Sequence, residues 1–251
     1  MIMTDLGFTD DMAQQFVNGA MKGFTDYVRR RKEDADKLIV SRGATWMKGN
    51  YIDDGVAKEL ANTGVEYQRK MAGYSWEYLQ FNFFDNQSGI NNSLIFKNYR
   101  TLTSGMRSKS NKLPDYLAKD ALVNVDILRK NKEKIHKKGE SIQLELLPLA
   151  PDYSEQVETQ VNGIQSRFYV VGYQLGNDGN LDTLNLLMPN PSTNSLVEIE
   201  NWNKYIVDAP IQPQMEDLSI FQNEKDIPEG QYDDTSNMRY EIADNNKEKE
   251  S

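Results

Sequence analysis

Near Gly64 the hydrophobic period of this chain changes from that of a helix to that of a strand, and this switch limits its fold more than any other feature. Before it, Met12, Phe16, Ala20, Phe24, Tyr27 and Val28 recur at three- and four-residue steps, and Ala35, Leu38 and Ile39 resume the stripe. That spacing predicts one long amphipathic helix over residues 8–40. Thr9, followed by Asp10, Asp11 and Met12, supplies a capped start with acids facing the helix dipole. Arg29, Arg30, Arg31 and Lys32 interrupt the apolar face, which leaves room for a break or a swing toward solvent. A loop holding WMKGNYIDD comes next. A short helix over about 54–61 follows it, with Asp53 or Asp54 as the cap, Val56 and Leu60 facing inward and Gly64 as the stop.

After the switch, Val65–Met71, Trp76–Phe84 and Ser93–Tyr99 alternate as strands, the last two joined by the turn composition DNQSGINN. Residues 101–112, TLTSGMRSKSNK, read as a polar basic loop. Leu113-Pro114-Asp115 then opens a helix to about Lys130, with Leu117, Ala121, Leu122, Val125 and Leu128 as its stripe. Residues 139–162 fit a strand, a linker or a docked segment. Arg167–Leu175 and Leu181–Met188 form a hairpin across GNDGN. NSLVEIENWNKYI closes the domain as a strand remnant or a short helix carrying Trp202.

The fold class is therefore α+β: a long N-terminal helix, a three-stranded antiparallel meander, a helix, and a β-hairpin joining the same sheet. Helix, three strands, helix and strand is also the element order of the restriction-endonuclease-like fold. One domain covers 1–207. Over 208–251 prolines, acids and scattered hydrophobes replace periodicity, so that stretch reads as an acidic, mostly disordered tail.

The net charge of −9 on 251 residues is unevenly spread. Residues 97–138 carry a net +8, 139–207 a net −7 and 208–251 a net −8, so positions 1–207 sum to only −1. The absence of cysteine excludes disulfides, thiolate nucleophiles and cysteine-liganded metal. The one histidine, His136, lies in the basic run KEKIHKKG and makes a poor member of a catalytic triad. No apolar run approaches the roughly 20 residues of a membrane span, and MIMTDLGFTDDM lacks the regions of a signal peptide. A cytoplasmic protein with no membrane partner is expected.

Four constellations could carry chemistry. In restriction-endonuclease-like enzymes an Asp near the second strand and a Glu-x-Lys pair on the third hold Mg²⁺ and assist the attacking water. Here Asp85 precedes Leu94-Ile95-Phe96-Lys97, which puts Lys97 in the Lys position but Ile95 where the Glu should be, and Glu77 could substitute. A nuclease would therefore use Asp85, Lys97 and Glu77, and only that reading calls for Mg²⁺. The second constellation is basic: Lys97, Arg100, Arg107, Lys109, Lys112 and Lys119 with Tyr99 and Tyr116, residue types that suit phosphate contact and base stacking. Its plain alternative is a solvated charged face paired with the acidic regions. The third is VAKELANTGVEYQRKMAGY, a helix-turn-helix candidate that would make residues 54–71 a DNA-reading unit. The fourth is WMKGNYIDD, where Trp46, Lys48, Asn50, Asp53 and Asp54 could serve a metal or phosphate, or simply anchor a helix entry. Two apolar islands in the tail, residues 217–221 and 238–242, could fold onto a partner.

WMKGNYIDD, AGYSWEYLQFN, LIFKNYR, KLPDYL and LLMPNP together resemble an uncharacterised family of prophage and mobile-element proteins from low-GC Gram-positive bacteria, over about residues 40–207. The resemblance implies a setting of phage–host or element–host conflict, or regulation, and supplies no activity or site residues. The reading that results is a non-enzymatic binding protein engaging a host protein or nucleic acid through the basic 97–119 region, with no small-molecule cofactor. The alternatives are a metal-dependent or degenerate nuclease, and a DNA-binding regulator.

Overall fold

The computed structural model describes residues 6–72, 76–107, 112–131, 160–161 and 164–222. Helix α1 runs unbroken over Asp10–Lys37, with the Thr9 hydroxyl accepting from the Met12 N–H. The basic cluster does not break it. Arg31 turns inward and donates to the Ser41 carbonyl at 2.8 Å, while Arg29 pairs with Asp26 on the solvent side and exposed Arg30 pairs with the buried Asp34.

A 3₁₀ turn over Arg42–Met47 leads directly into α2, Lys48–Glu59. The WMKGNYIDD segment is therefore mostly helical, and Asp53 is a buried mid-helix residue instead of a cap. Glycine explains the shift. A Cβ on Gly23 would lie 2.1 Å from the Tyr51 carbonyl oxygen, and one on Gly55 would lie 2.4 Å from the Gly19 carbonyl oxygen. The two backbones approach more closely than side chains would allow, and the contact holds α2 helical through a stretch whose local composition reads as loop.

The strands are β1 Glu66–Ala72, β2 Trp76–Asp85, β3 Ile90–Asn98, β4 Gln160–Val161, β5 Ile164–Leu175, β6 Leu181–Asn190 and β7 Ser195–Asn201. They run in the order β1-β2-β3-β5-β6-β7, with β4 paired to β5. The β1-β2-β3 meander and the β5-β6 hairpin are antiparallel, and the hairpin joins through a parallel β3–β5 ladder. This is the expected α+β architecture. Strand β1 sits at the sheet edge, where a helix-turn-helix would need its second helix, so residues 54–71 do not form one.

Helices cover both faces of the sheet. Phe16, Phe24, Ile52 and Val56 pack against Phe81, Leu94, Phe96 and Tyr169 on one side. On the other, Leu102, Leu117 and Ala121 pack against Ile95, Phe168 and Val170. Residues expected as a basic loop supply part of that second layer. Tyr99–Arg107 is helix α3, because Leu102 and Met106 stand one turn apart and are both buried, and the Asn98 side chain accepts from the Thr101 N–H.

The next helix is divided into α4 Asp115–Asp120, a 3₁₀ turn Ala121–Asn124, and α5 Val125–Lys130. Asn124 accounts for the turn. Its amide donates to the Phe168 and Pro189 carbonyls and its oxygen accepts from the Phe168 N–H, which ties the helical layer to β5 and β6.

After β7, Trp202 caps a short α6, Asn203–Val207, and the chain continues as a strap to α7, Ser219–Gln222. The tail boundary therefore moves. Leu218 is buried, Asp217 pairs with Lys32 at 2.5 Å, and the Phe221 ring stacks 6.1 Å from that of Tyr27. Apolar contact with α1 orders what composition alone marks as disordered. Residues 223–251, with the 238–242 island, lie outside the described residues, as do His136 and Lys109. No helix among the described residues is long and apolar enough to cross a membrane.

Substitution at the helix crossing gives a direct check. Gly23→Ala should cost at least about 2 kcal/mol of stability in urea denaturation. Gly43→Ala, whose added Cβ meets nothing within 4 Å, should stay within about 0.5 kcal/mol of the parent.

Candidate functional site

The site begins where the sheet comes apart. Strands β2 and β3 pair from Asp85↔Ile90 to Gln80↔Ile95 and no further. Beyond that point β2 stays with β1 as far as Ala72↔Trp76, whereas β3 stays with β5 as far as Asn98↔Tyr173. The strands therefore diverge from Leu79 and Phe96 onward. Helix α2 lies against this fork, and Asp53 Oδ2 accepts the Leu79 N–H at 2.9 Å, taking the place of a ladder partner. Asp53 Oδ1 is buried and has no hydrogen-bond partner among the described residues.

Burial pushes the Asp53 carboxyl up to about 7, against the opposing pull of the Leu79 N–H and the Lys97 charge. Two residues past Ile95 on β3, Lys97 is only 8% exposed. Its Nζ lies 4.5 Å from the centre of the Tyr78 ring and 5.2 Å from that of Tyr116. The faces of these rings carry negative potential, and they solvate the ammonium in place of lost water. Lys48, from the first turn of α2, is 5% exposed and has Nζ 6.0 Å from the Tyr27 ring centre. Burial, and then the negative charges of Asp120 and Asp53, push the Tyr78 hydroxyl up to about 12, so it remains a protonated donor.

These groups face one open cleft whose walls include Trp46, Lys48, Asp53, Trp76, Glu77, Lys97, Tyr116 and Tyr173. A second hollow shares Asp53, Glu77 and Tyr78 and adds Asn50, Asp54 and Arg69. Residues of three constellations that are far apart in sequence thus meet. Trp46, Lys48 and Asp53 come from WMKGNYIDD, Glu77 and Lys97 from the nuclease pattern, and Tyr116 from the basic segment.

Asp85 does not join them. It closes the β2–β3 turn, accepting from the Gln87 N–H and the Ser88 hydroxyl, and the Ser88 bond in particular holds its carboxyl below the usual range. Lys97 lies seven positions along β3 from Ile90, the partner of Asp85, about 23 Å of strand. Ile95, at the position a second strand carboxylate would take, is fully buried in the apolar layer.

The rest of the basic candidates are scattered. Arg100 and Lys119 are exposed on the two helices that supply Thr101, Leu102 and Tyr116 to the cleft, and Lys112 is exposed just before α4. Arg107 ends α3. Tyr99 packs into the second apolar layer, where a Cβ on Gly172 would meet its ring at 2.9 Å. Trp76 and Tyr173 belong to the cleft without any local sequence signal, since each reads as an ordinary strand residue. Asp53 stands among the WMKGNYIDD residues read as candidates for a metal or phosphate, and only its burial went unread, signalled faintly by its place between Ile52 and Val56, both of which face inward.

Comparison with protein-family models, with curated proteins and with solved structures finds no match to this chain. Among the described residues no three His, Cys, Asp or Glu side chains gather as a metal site.

The buried carboxyl makes stability depend on pH. Asp53 is raised from 3.8 to about 7 in the folded protein, so over that window the folded state holds a proton that the unfolded state has released. Stability should therefore fall as pH rises through the window, by about 1.4 kcal/mol per unit and about 4 kcal/mol in all, and then level off. Asp53→Asn keeps an acceptor for the Leu79 N–H and should remove this component. The difference in urea midpoints between parent and variant, followed from pH 4 to 8, measures it.

Proposed function

We propose that this protein binds nucleic acid, taking a single strand into the cleft between β2 and β3, and that it acts in phage–host or element–host conflict or regulation. One observation carries the binding: two buried lysines, Lys48 and Lys97, and a set of flat aromatic side chains face the same opening. Two lysine ammonium groups on one opening give it positive charge, which suits an anionic phosphate. Trp46 and Trp76 line the same opening and supply aromatic surface of the kind on which bases stack. The biological setting rests on the resemblance to prophage and mobile-element proteins.

Fluorescence anisotropy on labelled single-stranded DNA, RNA and duplex at several salt concentrations tests the binding. Single strands should bind most tightly, with a log–log salt slope of about −1.4 or steeper, since two phosphates at roughly 0.7 each are neutralised. Lys97→Met should flatten that slope by about 0.7. An unchanged slope in the variant would remove Lys97 from the interface, and failure of every nucleic acid to bind would end the reading.

A second reading, a Mg²⁺-dependent nuclease, has its own supporting observation: the unpartnered Asp53 Oδ1 lies in the same cleft as Glu77 and Lys97. Mg²⁺ is commonly held by one or two carboxylates plus substrate phosphate and water, and Asp53 and Glu77 are the two carboxylates that line this cleft. The ion would supply positive charge at a phosphoryl oxygen. In the same assay, Mg²⁺-dependent loss of the labelled strand that Asp53→Asn abolishes would establish this reading. Intact substrate under all metal conditions would leave a binding protein.

A further inference from the structure

We propose that the cleft selects guanine, with Asp53 accepting the N–H donors of the base's amide edge. This rests on the nucleic-acid reading above and adds to it the identity of the base.

One oxygen in the cleft lacks a partner among the described residues. Asp53 Oδ1 is buried without a hydrogen bond, and Oδ2, engaged by the Leu79 N–H, keeps a second lone pair. Above about pH 7, where Asp53 is ionised, its carboxylate only accepts, so a ligand that fits here must donate, and a group offering two adjacent donors in one plane uses both oxygens. The cleft walls narrow the choice. Trp46, Trp76 and Tyr116 are flat and largely apolar, which calls for a planar ring system. Lys48 and Lys97 provide positive charge for a phosphate on the same ligand.

Guanine satisfies both demands, because its N1–H and N2–H₂ lie side by side on one edge of a flat ring. The other bases do not. Adenine places the N1 acceptor beside its amino group, cytosine the N3 acceptor beside its own, and uracil and thymine flank one N–H with two carbonyls. Each of these would turn a lone pair toward the carboxylate, and a buried acceptor facing another acceptor is penalised.

The test uses the full chain at pH 8, where Asp53 is ionised, and thymidine strands of about eight nucleotides, within the span of a single-strand site. Each strand carries one central guanine, hypoxanthine or adenine. The guanine strand should bind roughly tenfold more tightly than the adenine strand. The hypoxanthine strand, which keeps N1–H but lacks the N2 amine, should fall between them. In Asp53→Asn the preference for guanine should collapse, because the carboxamide replaces one acceptor with a donor. Should that variant fail to fold, the three strands still decide the matter on the unaltered protein. Equal affinity for all three, or a guanine preference that survives in Asp53→Asn, overturns the base assignment and leaves the nucleic-acid reading standing. Failure of every strand to bind overturns both.

Discussion

The close crossing of α1 and α2 sets the geometry on which the site depends. Gly19 and Gly23 on one helix and Gly55 on the other allow backbone-to-backbone contact, so α2 sits deep against the sheet. From that depth the Asp53 side chain reaches the Leu79 N–H, which the β2–β3 ladder leaves open. A helix held further out by even one methyl group per contact would leave that donor unsatisfied and the fork without its carboxylate. The same packing fixes Lys48 and Tyr51 close to Tyr27, so the cleft wall and the hydrophobic core form one continuous structure.

The fork resolves a conflict between two strand partners. Strand β2 follows β1 and β3 follows β5, so their shared ladder must end somewhere, and the polar groups beyond its end need other partners. Asp53 answers one such group. Lys97, emerging from β3 into the gap, is stabilised by the faces of Tyr78 and Tyr116. The outcome is a polar, charged cleft in the middle of an α/β/α sandwich, at the point where the sheet is locally weakest.

Much of the fold was legible from periodicity. The capped start of α1, the meander, the β5–β6 hairpin and their order all follow from spacing and turn composition, because each is a local preference that the tertiary structure accepts. The misreadings share one cause. WMKGNYIDD and TLTSGMRSKSNK look like loops because they are rich in glycine, polar residues and charge, yet both contribute helix, held by the glycine crossing in one case and by buried Leu102 and Met106 in the other. The 208–222 strap looks disordered for the same reason and is ordered by Leu218 and Phe221 against α1.

Sequence alone determined the class of fold, the uneven charge, and the exclusion of thiol chemistry, and it marked Lys97, Glu77, Trp46, Lys48, Asp53 and Tyr116 as residues of interest in separate segments. Only the tertiary structure decided that these belong together, that Asp85 stands apart from them, and that Asp53 is buried in the fork. The physical reason is range. Helix caps, turns and amphipathic stripes act over a few residues and leave their mark in order. The cleft arises where two strands of one sheet take different neighbours, and its position depends on contacts between residues dozens of positions apart.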